Sequence, residues 1–339
     1  MTATDISIII CAYTEDRWQD LVAAVASVQN QTLAPYEIIV VIDHNPTLLA
    51  HAEAEFAKVT VVPNGFAQGL SGARNSGIKA ASGEILAFMD EDAVAAEDWL
   101  AQLAAGYASD TTIGVGGAIE PLWLDGRPTW FPEEFHWVVG CTYRGMPETT
   151  APVRNLIGCN MSFRRTVFEE IGGFRDGIGR IGTLPVGCEE TELCIRALQR
   201  MPEASLLYIP QARVQHRVPA NRARWQYFRS RCYAEGLSKA KIANFIGDKD
   251  GLSNEWSYTL RTLPLGVLRG LMESLTQLKP MGLARASAIT AGLFVTLTGY
   301  LRGKQLERKQ APAESGLANS YESGMSAETF ARPSKTAFG

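Results

Sequence analysis

The chain opens on a continuous apolar run, Ile6–Cys11, with none of the alternation of a half-exposed strand. Such a run fits a strand covered on both faces. The pattern returns at Glu37–Ile42, Val59–Val62 and Glu84–Met89, which predicts three further strands. Between them, apolar positions recur at helical spacing. Leu21, Val22, Val25 and Val28 define a helix from Asp16 to Gln29, and Ser71–Ala81 and Ala96–Gly106 read as two more. Strands alternating with helices predict an α/β fold, with a mainly parallel central sheet flanked by helices. Ligands of such sheets bind beyond the carboxyl ends of the strands, where Tyr13, Asp43 and Asp90 fall.

Further on the pattern changes. Leu122–Gly145 is rich in Trp, Pro and Phe, as irregular loops and short antiparallel strands are. Ile157–Phe163 reads as a strand and Thr166–Ile171 as a helix stopped by Gly172 and Gly173. A glycine-rich loop, Gly177–Gly187, precedes a helix over Glu189–Met201, and Ala212–Gln215 is strand-like. Leu268, Leu271, Leu275 and Leu278 keep helical spacing and predict a C-terminal helical pair. Residues 311–339 lack periodicity and are expected to be a disordered tail.

Composition narrows the classes. With 46% hydrophobic and 20% charged residues, the 339-residue chain is globular, and its net charge of −4 does not suit a nucleic-acid coat. Six cysteines form no CxxC pair, so reduced thiols in a cytoplasmic protein are expected. No basic segment precedes Ile6, so no signal peptide is expected. Ala286–Leu301, between Arg285 and Arg302, is shorter than the roughly 20 residues of a membrane span. It reads as a packed helix or as one lying at a membrane interface.

Four segments carry chemistry. Asp90-Glu91-Asp92 follows a strand, and two carboxylates two residues apart can aim at one Mg²⁺ or Mn²⁺; a solvated turn is the alternative. Glu189-Glu190 opens a helix, where the pair either complements the helix dipole or supplies a general base. His216 begins a stretch with arginines at 217, 222, 224, 229 and 231 and no acid up to Ala234. That stretch suits a diphosphate or a solvated basic face. Ser71–Asn75 combines a helix start with Arg74, a combination that suits an anion.

In this order, the segments resemble the family 2 glycosyltransferases. The matching stretches are ISIIICAYTEDR (6–17), Val40–Asp43, GARNSG (72–77), EILAFMDED (84–92), NMSFRRTVFEEIGGF (160–174) and GCEETELCIR (187–196). Within the family the chain is similar to the glucosyl-dolichyl-phosphate glucuronosyltransferase-like branch. The resemblance implies a GT-A nucleotide-diphospho-sugar transferase fold and an inverting transfer of one sugar. It implies a nucleotide-sugar-binding half over 1–118 and an acceptor-binding, catalytic half over 119–240. A C-terminal helical region over 241–310 completes the chain before the tail, with possible contact to the inner membrane face.

The same resemblance implies site roles. Ala12, Tyr13, Glu15, Asp43, Arg74, Asp90 and Glu91 would hold a nucleotide-diphosphate sugar of UDP or GDP type. Asp92, Asp90 and His216 would bind Mn²⁺ or Mg²⁺, and Glu190, with Glu189 as the alternative, would be the base. Asn160, Arg180, Arg222 and Trp225 would meet the acceptor or diphosphate. The chain departs from the family at Glu190, where Asp is usual, and at Cys11-Ala12, where Pro-Thr is common. Arg222–Trp225 resembles the QxxRW of processive synthases without its Gln, which favours single transfer. The acceptor would be a lipid-linked sugar or a glycan. Trp123, Trp130 and Trp137 either stack on a sugar face or pack in the core. A sugar-nucleotide nucleotidyltransferase would need a Gly-rich loop where Cys11–Arg17 stands, and a nicotinamide enzyme a GxGxxG after the first strand. A non-catalytic nucleotide- or glycan-binding module is the remaining alternative.

Overall fold

A computed structural model of the chain describes residues 5–175, 187–246, 257–277 and 280–310. Arg180, Leu278, most of the glycine-rich loop and the tail lie outside the described residues. The N-terminal part runs β1 (Ile6–Ala12), α1 (Trp18–Gln29), β2 (Glu37–Ile42), α2 (Pro46–Glu55), β3 (Thr60–Pro63), α3 (Leu70–Ala80) and β4 (Ile85–Asp90). A short strand β5 (Ala93–Ala95), α4 (Trp99–Ala105) and the long β6 (Thr112–Trp123) follow. Then come β7 (Ala151–Val153), β8 (Asn160–Arg164), α5 (Arg165–Ile171), α6 (Glu189–Arg200) and β9 (Ser205–Val218). Three helices close the described chain: α7 (Trp225–Ile246), α8 (Leu263–Gln277) and α9 (Pro280–Gln310).

The strands form one sheet in the order β3-β2-β1-β4-β8-β6-β9-β5, with β7 also pairing with β9. The first four are parallel, as the apolar runs predict. Beyond β4 the sheet is mixed: β8 is antiparallel to β4 and β6, whereas β6 and β9 are parallel. Alternate residues of β1 serve the two faces. Ile6, Ile8 and Ile10 join α1 and α4 in one core, and Ile9 and Cys11 join α3, α5 and α6 in the other. With both faces covered, no residue of β1 is exposed, and the run has no reason to alternate.

Apart from the strand at Ala212–Gln215, the predicted elements shift by up to three residues, and several were not predicted. The Asp16 start gives way to a single 3₁₀ turn over Glu15–Arg17 before α1. Strand β9 extends well to both sides of Ala212–Gln215, carrying His216 inside the strand, opposite Ala93 of β5. Much of the aromatic stretch packs as core: Trp123 meets Phe131, and Trp130, Phe131 and Phe135 close around Phe228 of α7. Trp137 donates from Nε1 to the Tyr258 hydroxyl at 3.0 Å.

Helices α7 and α9 approach until backbones touch. A Cβ at Gly236 would sit 2.1 Å from the Thr296 carbonyl, and one at Gly299 2.2 Å from that of Tyr233. This reciprocal packing fixes α9 along α7.

Asn160, expected at the acceptor, is fully buried within the sheet instead. Its amide donates to the carbonyls of Ala118 (3.0 Å) and Ala212 (2.8 Å), and its Oδ1 accepts from Trp99 Nε1 at 2.8 Å. These three bonds hold β6, β8, β9 and α4 together. Asn160→Ala strands three buried polar groups at about 1–3 kcal/mol each. Urea unfolding is expected to show a loss of about 3 kcal/mol or more.

Candidate active site

The carboxyl ends of β1, β2 and β4 face a cavity of about 750 Å³. Ala12, Tyr13, Asp43, Arg74, Asp90, Glu91, Asp92, Glu189, Glu190 and His216 all line it. The four sequence segments with chemistry thus meet at one place, although residues as far apart as Ala12 and His216 contribute. Glu15, Asn160, Arg222 and Trp225 do not line it. Glu15 lies exposed in its 3₁₀ turn, and Trp225 stacks on Phe228 with ring centroids 5.2 Å apart.

Asp43 is held rigidly. Its Oδ1 accepts from Asn64 Nδ2 at 2.6 Å and its Oδ2 from the Gly69 backbone N–H at 2.9 Å. The second bond ties the end of β2 to the start of α3. Tyr13, half exposed, presents its ring to Arg17.

Arg74, 2% exposed, reaches from α3 into the middle of the cavity wall. It meets Glu189 Oε1 at 2.9 Å, Asp90 Oδ1 at 3.5 Å and the Gly158 carbonyl at 3.3 Å. A Cβ at position 158 would stand 2.7 Å from Arg74 Nη2, so the guanidinium needs glycine there. Burial opposes the charge, but Glu189 and Asp90 outweigh it and hold Arg74 protonated.

The Asp-Glu-Asp triplet divides. Glu91 pairs with Arg17 at 2.7 Å, and burial beside Asp92 lifts its carboxyl to about 7. Asp92, 5% exposed, meets His216 Nε2 at 3.1 Å, Arg17 at 3.1 Å and Arg222 at 3.5 Å. Burial opposes its charge, yet His216 and the two arginines outweigh it and keep the carboxyl ionised. His216 is the counterpart: burial works against its charge, and Asp92 lifts it to about 10. Asp90 is the open member of the triplet. Its carboxylate, the Cys159 sulfur and a His216 nitrogen lie within 4.8 Å of one another, a donor set that fits one divalent ion once His216 gives up its proton.

The two helix-opening glutamates divide in the same way. Glu189 is buried on Arg74, whereas Glu190 is half-buried, lines the cavity and has no ion pair among the described residues. Burial first, and Glu189 next to it, push Glu190 up to about 8.

The arginine-rich stretch does not act as one cluster. Arg213, Arg224 and Arg229 are exposed, Arg217 pairs with Asp20 at 2.7 Å, Arg222 supports Asp92, and only Arg231 lines the cavity. Sequence reasoning missed Arg17, Arg154, Cys159, Glu235 and Lys239, all on the cavity wall. It also missed the far wall, which Leu263, Leu293, Leu297 and Tyr300 of the C-terminal helices supply.

Removing Arg74 alone leaves Glu189 a buried, unpaired charge. Arg74→Met is expected to cost about 3–5 kcal/mol in urea unfolding, and Arg74→Met with Glu189→Leu to recover most of it.

A sequence model of glycosyl transferase family 2 matches residues 7–172. The chain is 34% identical over 238 residues to the glucosyl-dolichyl phosphate glucuronosyltransferase of Haloferax volcanii, across 69% of this chain and 76% of that protein. The mannosyltransferase PcManGT from Pyrobaculum calidifontis, solved with GDP-Man and Mn²⁺, superposes with a TM-score of 0.55 at 18% identity. That match covers 87% of this chain and 86% of the other. GalNAc-T7, solved with UDP, GalNAc and Mn²⁺, gives 0.52 at 19% identity, over 77% of this chain and 58% of its own. Fold, motif order and relatives agree, and the chain belongs to glycosyltransferase family 2, an enzyme family built here on the GT-A fold.

Proposed function

We propose that this glycosyltransferase moves one sugar from a UDP- or GDP-linked donor to a hydroxyl of a lipid-linked acceptor, at a membrane surface, with inversion. The observation that carries the reading is the make-up of this cavity. Strand-end carboxylates, Arg74 and Glu190 line it together with apolar residues of α8 and α9. A polar donor and an amphipathic acceptor match that mixed lining.

In this reading Asp43 and Tyr13 hold the nucleoside. Asp90, Asp92 and His216 would hold a divalent cation, Mn²⁺ or Mg²⁺, whose chemistry is to neutralise charge on the diphosphate leaving group. Arg74 fixes Glu189 and so sets the start of α6, which aims Glu190 into the cavity. Glu190 takes the proton of the acceptor hydroxyl as that oxygen attacks the anomeric carbon from the face opposite the nucleotide. The extra methylene relative to Asp extends its reach.

The membrane reading rests on the outer face of the helical pair. Leu268, Leu275, Phe294 and Leu301 are all at least half exposed. Residues 258–310 carry eight basic and two acidic side chains in a chain of net charge −4. An apolar face on a segment with a cationic excess suits a bilayer with anionic headgroups.

A base lifted to about 8 must be ionised to work, so kcat/KM is expected to rise with pH and level off above about 8. Glu190→Gln is expected to lower turnover by about 10²–10⁴-fold. In calorimetry with Mn²⁺ it should bind UDP or GDP as the wild type does, and its thermal midpoint should hold or rise, because burial disfavours the charge it removes. Binding of neither nucleotide by the wild type would sink the donor assignment. For the membrane, co-sedimentation with vesicles containing anionic lipid is expected for the wild type. Phe294→Glu with Leu301→Glu should abolish it while nucleotide binding persists.

A further inference from the structure

The cation site contains a donor that none of the motifs announces. Cys159 immediately precedes β8, and the β4–β8 register pairs Met89 with Asn160, which brings Cys159 alongside Asp90. Its sulfur, the Asp90 carboxylate and a His216 nitrogen stand within 4.8 Å of one another. A single ion with bonds of about 2.0–2.5 Å bridges donors up to roughly 5 Å apart. Cys159 is 3% exposed, yet its residue lines the cavity together with Asp90 and His216, so an ion bound in that space meets the sulfur directly. A second thiol, Cys141, lies 3.8 Å from His216 Nδ1.

We propose that Cys159 is a sulfur ligand of the donor-site cation and biases the site away from Mg²⁺ towards softer divalent ions. This rests on the reading that Asp90 and His216 hold the cation. The physical reason is donor softness. Mg²⁺ demands hard oxygen ligands, whereas a thiolate strengthens binding of Zn²⁺ and Co²⁺ and favours Mn²⁺ less strongly. On ligation the Cys159 thiol and the His216 imidazolium each release a proton to solvent, and the freed lone pairs on sulfur and ring nitrogen form the bonds to the ion.

Cobalt tests this, because sulfur-to-cobalt charge transfer gives an intense near-ultraviolet band that oxygen and nitrogen ligands lack. The full chain is titrated with Co²⁺ in the presence of UDP or GDP and followed by absorption and calorimetry together. The expected result is binding with the band in the wild type and in Cys141→Ser, and binding without the band in Cys159→Ser. Cys159→Ser should also lower the Zn²⁺-to-Mg²⁺ affinity ratio at least tenfold. Should the variant fail to fold, X-ray absorption on the zinc-loaded wild type must show a sulfur shell near about 2.3 Å. Cobalt binding without the band in the wild type, a band that survives in Cys159→Ser, or a zinc site without sulfur overturns the proposal but leaves the cation reading intact. Failure of Co²⁺, Zn²⁺, Mn²⁺ and Mg²⁺ all to bind, with either nucleotide, overturns the cation reading itself.

Discussion

One buried guanidinium organises the cavity. Arg74 holds the start of α6 through Glu189, the end of β4 through Asp90 and the approach to β8 through the Gly158 carbonyl. These segments lie far apart in sequence and would otherwise bring carboxylates together with no cation between them. Breaking such a pair is costly because its partner stays buried. The side chain must also be arginine. Only a planar fork reaches three acceptors in different directions, and lysine offers a point charge.

Around that hub the acidic residues fall into two groups. Glu91, Asp92 and Glu189 are buried on Arg17, Arg222, His216 and Arg74, which compensate their charges. Asp90 and Glu190 are less buried and face the cavity. The first group builds the field in which the second operates. Glu189 does this most directly: its charge, added to burial, helps raise Glu190 to about 8. A carboxyl so placed exchanges protons near neutral pH.

The parallel half of the fold was legible because both faces of its strands are covered, so each strand reads as an apolar run. Helix α2 was not, since Leu48 and Ala52 are its only buried residues. A local signal did exist: Asn45 caps Leu48 N–H at 3.0 Å and Pro46 follows at the first position. Strand β6 hid behind its glycines, and much of β9 behind exposed residues such as Gln211, Arg213 and Gln215, which alternate with buried ones. Site residues next to strand ends were found from order alone. Arg17, Cys159 and Lys239 were not, because only sheet register and helix packing bring them to the cavity. The arginine-rich stretch misled for a related reason. A strand and a helix spread its cations over different faces, and a linear count of charge cannot show that.

The C-terminal helices raise a question of orientation. Pro280–Arg308 of α9 is long and apolar enough to cross a membrane by length and composition. Its packing argues for another arrangement. Gly236 and Gly299 bring α7 and α9 into backbone contact, and α7 carries Arg229, Arg231, Glu235, Lys239 and Lys241. Were α9 to cross as it is packed, these charges would enter hydrocarbon, at about 2.5–3.5 kcal/mol or more for each. Lying along the interface, α9 keeps them in water and presents Phe294 and Leu301 to the lipid. Leu297 then matters most, because it is half exposed on that outer face and also lines the cavity. Under the proposed function, the acceptor's chain stays in the bilayer while its polar end passes Leu297 towards Glu190. On that reading, the helix that docks the enzyme also forms the doorway to its active site.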